Sequence, residues 1–129
     1  MATDTTTPST DQLGFETASL TRLHYLGIAL AAVTGVIHLV LGVGFLPSPL
    51  AISFVLAGLG FFGAITLLLL NVRRPLLYAV GIPYTLIQVV AYVVVNPNPL
   101  SPVGLFDKAV QLTLVGVLVA LYRAESAEN

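Results

Sequence analysis

Residues 50–70 read LAISFVLAGLGFFGAITLLLL, a run without a single Asp, Glu, Lys or Arg. As an α-helix with a rise of about 1.5 Å per residue, such a run crosses the hydrocarbon core of a bilayer, which is about 30 Å thick. Proline-containing segments end it on both sides, at 47–49 and at 71–75, because proline removes an amide donor and clashes with the preceding turn. We therefore predict a membrane-spanning helix over residues 50–70.

Working outward, three further apolar runs have a similar length. They cover residues 23–46, residues 76–95 with Pro83 inside, and residues 102–122, which Ser101 and Pro102 open as a helix cap and first helical residue. The sequence therefore predicts an all-α fold, a four-helix transmembrane bundle.

The composition excludes a soluble globular domain. Of the 129 residues, 57% are hydrophobic and 9% are charged, whereas soluble domains carry about 25% charged residues. The mean hydropathy is +0.96. The chain has a net charge of −1 and no cluster of basic residues, so we do not expect it to bind nucleic acid. The expected partner is the lipid bilayer. The absence of cysteine excludes disulfides and thiolate metal sites.

The predicted domain organisation has three parts. Residues 1–21 are rich in Thr, Ser and Asp and are expected to form a disordered N-terminal tail, because they cannot bury enough apolar surface to fold. Residues 22–123 form the four-span membrane domain, and residues 124–129 form a short C-terminal tail.

The arginines predict the orientation in the membrane. In a four-span layout they all fall on one side, whereas Lys108 lies towards the other; the four are Arg22, Arg73, Arg74 and Arg123. Because cytoplasmic flanks carry an excess of Lys and Arg, we expect a cell-membrane protein with both termini in the cytoplasm.

Small residues recur at helical spacing on the first two spans. Such residues allow close approach of membrane helices, so we expect spans one and two to pack face to face. The residues of this predicted seam are Gly27, Ala31, Gly35, Ser53, Ala57, Gly60 and Ala64.

Polar residues inside the spans predict a cluster in the outer half of the membrane. At the usual helical rise, four of them lie about 7 to 14 Å below the outer helix ends: His38, Gln88, Asp107 and Gln111. Lys108 and Tyr92 lie within one turn of them. Because polar side chains in hydrocarbon normally face a partner or a water-filled cavity, we expect these side chains to meet.

Two interpretations of this cluster are open. In the functional one, His38 and Asp107 form a proton- or ligand-responsive pair. In the structural one, the polar groups form hydrogen bonds between helices that fix their register.

Conventional catalysis lacks the necessary residues. His24 and His38 share one predicted helix, about 21 Å apart along its axis, so they cannot hold a haem between them. The sequence contains no Gly-rich phosphate loop and no triad-like or metalloprotease motif, so we predict no catalytic residue, no metal site and no cofactor. A quinone site stays open, because it needs only a polar partner such as His38 beside Gln88 or Tyr92.

Several stretches resemble a known type of protein. They are the third span GIPYTLIQVVAYVV, the Pro-rich loop after it and SPVGLFDKAVQ at the start of the fourth span. With a Thr- and Asp-rich leader and one Lys against four Arg, nearly the whole chain resembles uncharacterised haloarchaeal membrane proteins. The layout is also similar to the DoxX-like group of small four-helix proteins, some linked to quinol oxidation, but this likeness implies no site residues.

Three functions are compatible with these observations. The leading prediction is a non-catalytic accessory or interaction subunit, acting as a homo-oligomer or within a larger membrane complex. The alternatives are a small-solute or proton carrier that uses the outer-half cluster, and a quinone-linked redox component.

Overall fold

The computed structural model describes residues 17–96 and 100–127, and this part of the chain folds into α-helices joined by short connections. Each helix is long and apolar enough to cross a membrane. They are α1 (Arg22–Gly44), α2 (Pro49–Leu69), α3 (Arg74–Val95) and α4 (Pro102–Ala127). The predicted all-α fold with four potential spans is therefore confirmed. The expected disorder of residues 1–16 falls outside the described residues.

Hydrogen-bonding side chains cap the helix starts. Thr21 caps α1 by accepting from the His24 amide, while the Thr21 amide donates to His24 Nδ1. Ser48 accepts from the Ala51 amide at the start of α2, and Ser101 accepts from the Gly104 amide at the start of α4. These bonds satisfy amides that have no partner within the helix and so help to fix where α1, α2 and α4 begin, whereas no side chain caps the start of α3.

The turn between α2 and α3 depends on a buried arginine. Asn71 and Arg73 both adopt the left-handed conformation there. Arg74, which is 5% exposed, donates through Nε and Nη2 to the carbonyl of Leu68 at 3.1 and 3.0 Å. The Leu68 carbonyl also accepts from the Asn71 amide at 3.1 Å, so the guanidinium adds a second donor at the end of α2 and complements the negative end of the helix dipole.

The four helices form a bundle in which chain neighbours pack side by side and α4 returns against α1. The α1–α2 pair is packed most extensively, and the α2–α3 pair least. Phe61, Leu114 and Ala31 form the middle of the core, and Tyr78, Val117 and Leu121 form a second cluster towards the end that carries the arginines.

Two boundaries differ from the prediction. Helix α4 continues to Ala127, beyond the expected end at residue 122. The described residues 17–21 lie against the bundle, where Leu20 packs on the core and Ser19 accepts a 2.6 Å hydrogen bond from Arg74. As a result, polar residues of segments 17–21 and 123–127, most of which were predicted to belong to the tails, lie on the bundle.

The small residues predicted as one seam lie on several helix interfaces. Gly35 packs against Phe62 of α2, but Gly27 faces Val117 and Leu121 of α4, and Gly60 faces the Tyr84 hydroxyl of α3. Ala31 lies in the core, and the Ala57 carbonyl accepts a hydrogen bond from the Tyr84 hydroxyl. Ser53 is exposed, and its hydroxyl donates to the Leu50 carbonyl of the same helix. Ala64 lines a central cleft. Close approach of α1 and α2 also depends on Gly42 and Gly58.

Gly42→Ala tests this helix contact. A Cβ atom at Gly42 would lie 2.7 to 2.9 Å from Val55 Cγ2, the Val55 nitrogen and the Ala51 carbonyl oxygen. Because two of these atoms belong to the α2 backbone, the helices must separate, and we expect the free energy of unfolding to fall by about 1–3 kcal/mol. Unfolding in mixed micelles measures the change.

Gly116→Ala is the matched control, because an added Cβ there meets no atom within 4 Å. We expect it to be neutral or slightly stabilising, since alanine favours helix more than glycine does. Equal stability of the two variants would contradict the close α1–α2 contact.

Candidate functional site

The half of the bundle farther from the arginines, which was predicted to be the outer half, contains a buried ion pair. Asp107, on α4, is 4% exposed, and its Oδ2 lies 2.9 Å from Lys108 Nζ. The hydroxyl of Thr34, on α1, donates to Asp107 Oδ1 at 2.6 Å. A buried carboxylate is stable only when its charge is balanced and its oxygens are bonded, and here both oxygens have partners.

Lys108 has further partners. Its Nζ donates to Gln111 Oε1 at 2.6 Å and lies 5.0 Å from the centroid of the Tyr92 ring, a cation–π distance. Gln111, which is fully buried, in turn donates through Nε2 to Gln88 Oε1 at 2.9 Å. The structure thus brings together Asp107, Lys108, Gln111, Gln88 and Tyr92.

The hydrogen bonds continue to the remaining helix. Gln88 donates through Nε2 to the Tyr84 carbonyl at 3.1 Å, and the Tyr84 hydroxyl donates to the Ala57 carbonyl on α2 at 2.8 Å. We call the set Thr34, Asp107, Lys108, Gln111, Gln88 and Tyr84 the outer network. It connects α1 to α4, α4 to α3 and α3 to α2, so every helix of the bundle takes part.

His38 adjoins this network without joining Asp107 directly. Its Nδ1 lies 2.8 Å from the Thr34 carbonyl and therefore donates to it, while the ring packs against Phe54 and Phe61 at centroid distances of 5.2 and 5.9 Å. Thr34 thus links the two residues of the hypothesised pair, with its carbonyl bonded to His38 and its hydroxyl bonded to Asp107.

A recess opens beside the ion pair. It is lined by polar groups of α1, α3 and α4 together with apolar side chains; the polar ones are His38, Tyr92, Asn96, Ser101, Asp107 and Lys108. The recess therefore combines an imidazole with an ion pair, which are groups able to form hydrogen bonds with a small polar molecule. Within residues 17–96 and 100–127, no group of three or more His, Asp or Glu side chains is placed to hold a metal ion.

A second polar cluster, which sequence reasoning missed, lies at the opposite end of the bundle. Glu125 Oε2 accepts from the Tyr78 hydroxyl at 2.7 Å and lies 3.1 Å from His24 Nε2. Because the Thr21 amide donates to His24 Nδ1 at 3.0 Å, the ring hydrogen is on Nε2 and is donated to Glu125. This inner cluster of His24, Tyr78 and Glu125 joins α1, α3 and α4.

A periodic signal for this cluster exists in the sequence. The buried positions of α4 include Asp107, Leu114 and Leu121, which are seven residues apart and therefore lie on one face of the helix. Glu125 follows Leu121 by four residues, about one turn, so it lies on the same face. Because the helix was predicted to end at residue 122, Glu125 was not placed on this face. Thr34 was missed because threonine is common on membrane helices and carries no charge.

The predicted topology arginines lie at one end of the helices, as expected from the four-span layout. Arg22, Arg73 and Arg123 are exposed, but Arg74 is buried and bonded. Arg74 therefore has a structural role in addition to any effect on orientation.

Asp107→Ala tests whether Asp107 and Lys108 are tolerated inside the bundle because their opposite charges compensate each other. Removing the carboxylate leaves Lys108 without its counter-ion and Thr34 without its acceptor, so we expect a loss of about 3 kcal/mol in unfolding free energy. The double variant Asp107→Leu, Lys108→Met removes both charges, and we expect it to be more stable than Asp107→Ala. A double variant that is less stable than the single one, measured by unfolding in mixed micelles, would reject the charge-balance argument.

Comparison with other proteins gives a family but no characterised relative. No curated protein and no solved structure matches the chain. The likenesses to the DoxX-like group and to haloarchaeal proteins therefore stay predictions. One family model matches residues 9–122, which is most of the chain. The chain therefore belongs to a family of unknown function, DUF7475.

Proposed function

We propose that this multi-pass membrane protein is a non-catalytic accessory subunit that acts through contacts with other proteins in the bilayer. The observation that supports the proposal is the outer network. Its Asp, Lys and Gln side chains bond one another and tie the helices together, which is the behaviour of groups that hold an architecture. The apolar helix faces, with Val40, Ile87 and Val94 more than 60% exposed, are then the surfaces available to lipids and partners.

A second candidate is a small-solute or proton carrier. The recess beside Asp107 favours it, because His38 lines the same recess as Asp107 and Lys108, and only its Nδ1 is engaged by the Thr34 carbonyl. Intramembrane ionisable residues often mark transport pathways.

Native mass spectrometry of gently extracted protein tests the first proposal. We expect a defined assembly that contains this chain and at least one other protein in fixed stoichiometry. We also expect the assembly to persist in His38→Ala, because the His38 side chain contacts the neighbouring helix through ring packing against Phe54 and Phe61. A homogeneous monomer or homo-oligomer would contradict the proposal. Solute or proton flux in proteoliposomes that is lost in both His38→Ala and Asp107→Asn would favour the carrier instead.

We also propose that both termini lie in the cytoplasm, because the exposed arginines are all at that end of the helices. The chain has no cysteine, so single-cysteine variants report topology directly. We expect a membrane-impermeant maleimide to label Phe45→Cys in intact cells and Val72→Cys only after permeabilisation; both positions are exposed. The reverse pattern would contradict the orientation.

A further inference from the structure

The recess beside the ion pair reaches the end of the bundle that is farther from the arginines. Two polar residues that line it lie at helix ends there, Asn96 after α3 and Ser101 before α4. Asp107 also lines it and follows Ser101 by six residues, about 9 Å along α4. The recess has a volume of about 150 Å³, compared with about 30 Å³ for one molecule of liquid water. It can therefore hold several water molecules between the bundle end and the buried groups.

The two charged groups of the recess already have partners. Asp107 accepts from Thr34 at one oxygen and contacts Lys108 with the other. Lys108 Nζ bonds Asp107 and Gln111 and lies over the Tyr92 ring. Because the two charges are opposite, they cancel, and the recess has no net charge while its histidine is neutral.

His38 supplies a ring nitrogen without a partner. The residue is 5% exposed, and its hydrogen bonds among the described residues all involve Nδ1. Since Nδ1 donates to the Thr34 carbonyl, the lone pair of the neutral ring is on Nε2. Nε2 is not a buried atom without a partner, because within the described part of the chain that atom is Thr85 Oγ1. Nε2 is therefore accessible, and the recess is the open space that His38 lines.

His24 has the opposite arrangement. Its Nδ1 accepts from the Thr21 amide at 3.0 Å, and its Nε2 donates to Glu125 at 3.1 Å. The two histidines of the chain therefore have different neutral tautomers, and His38 is the one whose lone pair is not used by the protein.

The charged neighbours of His38 come from a single helix. The α2 side chains against its ring are phenylalanines, which carry no charge. Helix α3 contributes Tyr92 to the recess, and α4 contributes Asp107 and Lys108. Thr34 joins the imidazole to the carboxylate, because its carbonyl bonds His38 and its hydroxyl bonds Asp107. A positive charge on the ring therefore interacts with one negative and one positive group.

We propose that the recess is a proton-binding site, in which His38 Nε2 takes up a proton from water that enters at the end of the bundle farther from the arginines. A hydronium ion supplies the proton and leaves as water, while Nδ1 keeps its hydrogen bond to the Thr34 carbonyl. The recess then changes from neutral to positively charged. Imidazole is the side chain that changes charge near neutral pH, so ordinary changes in acidity can operate the site. Proton uptake requires neither the accessory role nor transport, so it can be tested apart from both.

Nitrogen-15 NMR of the full chain in nanodiscs, with labelled histidine, tests the proposal, because ring nitrogens with and without hydrogen have different shifts. At alkaline pH we expect hydrogen on Nδ1 of His38 and on Nε2 of His24, with His38→Gln assigning the signals. As the pH falls to about 4, we expect Nε2 of His38 to gain a hydrogen reversibly in a one-proton titration. A His38 ring that stays neutral in the folded protein, or that carries its hydrogen on Nε2 at alkaline pH, would overturn the proposal.

Substitutions in the ion pair should move this titration in opposite directions. Asp107→Asn leaves Lys108 positive and unbalanced, so His38 should take up its proton at a pH lower by about one unit. Lys108→Met leaves Asp107 negative, so proton uptake should move to a higher pH by a similar amount. Glu125→Gln is the matched control, because Glu125 lies 18 residues, about 27 Å, from Asp107 along α4, and it should leave the titration of His38 unchanged. Equal titrations in Asp107→Asn and Lys108→Met would contradict a proton bound beside the ion pair.

Discussion

The Asp107–Lys108 ion pair is the constraint on which the rest of the structure depends. In hydrocarbon no water is present to satisfy a carboxylate or an ammonium group, so each must find partners inside the protein. Asp107 obtains them from Lys108 and Thr34, and Lys108 obtains them from Gln111 and the Tyr92 ring. These requirements determine which faces of α1, α3 and α4 turn inward.

The bundle consequently has polar contacts at two levels with an apolar layer between them. The outer network joins all four helices, and the inner cluster of His24, Tyr78 and Glu125 joins three of them near the arginine-bearing end. Between these levels, the described parts of the helices pack through apolar side chains around Phe61 and Leu114. This arrangement explains why the cleft lies in the middle of the bundle, where few directional bonds restrict the helices.

The extent of the helices could be predicted from the sequence because charge and proline end each apolar run. The predicted starts lie within two residues of Arg22, Pro49, Arg74 and Pro102. The level of the polar cluster was predictable for a similar reason, since depth follows from the helical rise. The rotation of each helix was not, because a span that is apolar on all sides has little amphipathic signal to show which face is inward.

Particular residues show this limit. His38 and Asp107 were expected to form a pair, and the structure links them through Thr34, which neither charge nor spacing in the sequence predicts. Glu125 was assigned to a tail because the apolar run ends before it, although the helix does not.

The measurement that tests the central claim most directly is a double-mutant cycle between Gln88 and Gln111, with each replaced by Leu, followed by unfolding in bicelles. These residues bond α3 to α4 at 2.9 Å. If the outer network holds the bundle together, the coupling free energy should be favourable, at about 0.6 kcal/mol or above, as for hydrogen bonds between other membrane helices. Strictly additive effects of the two substitutions would contradict a structural role for the network.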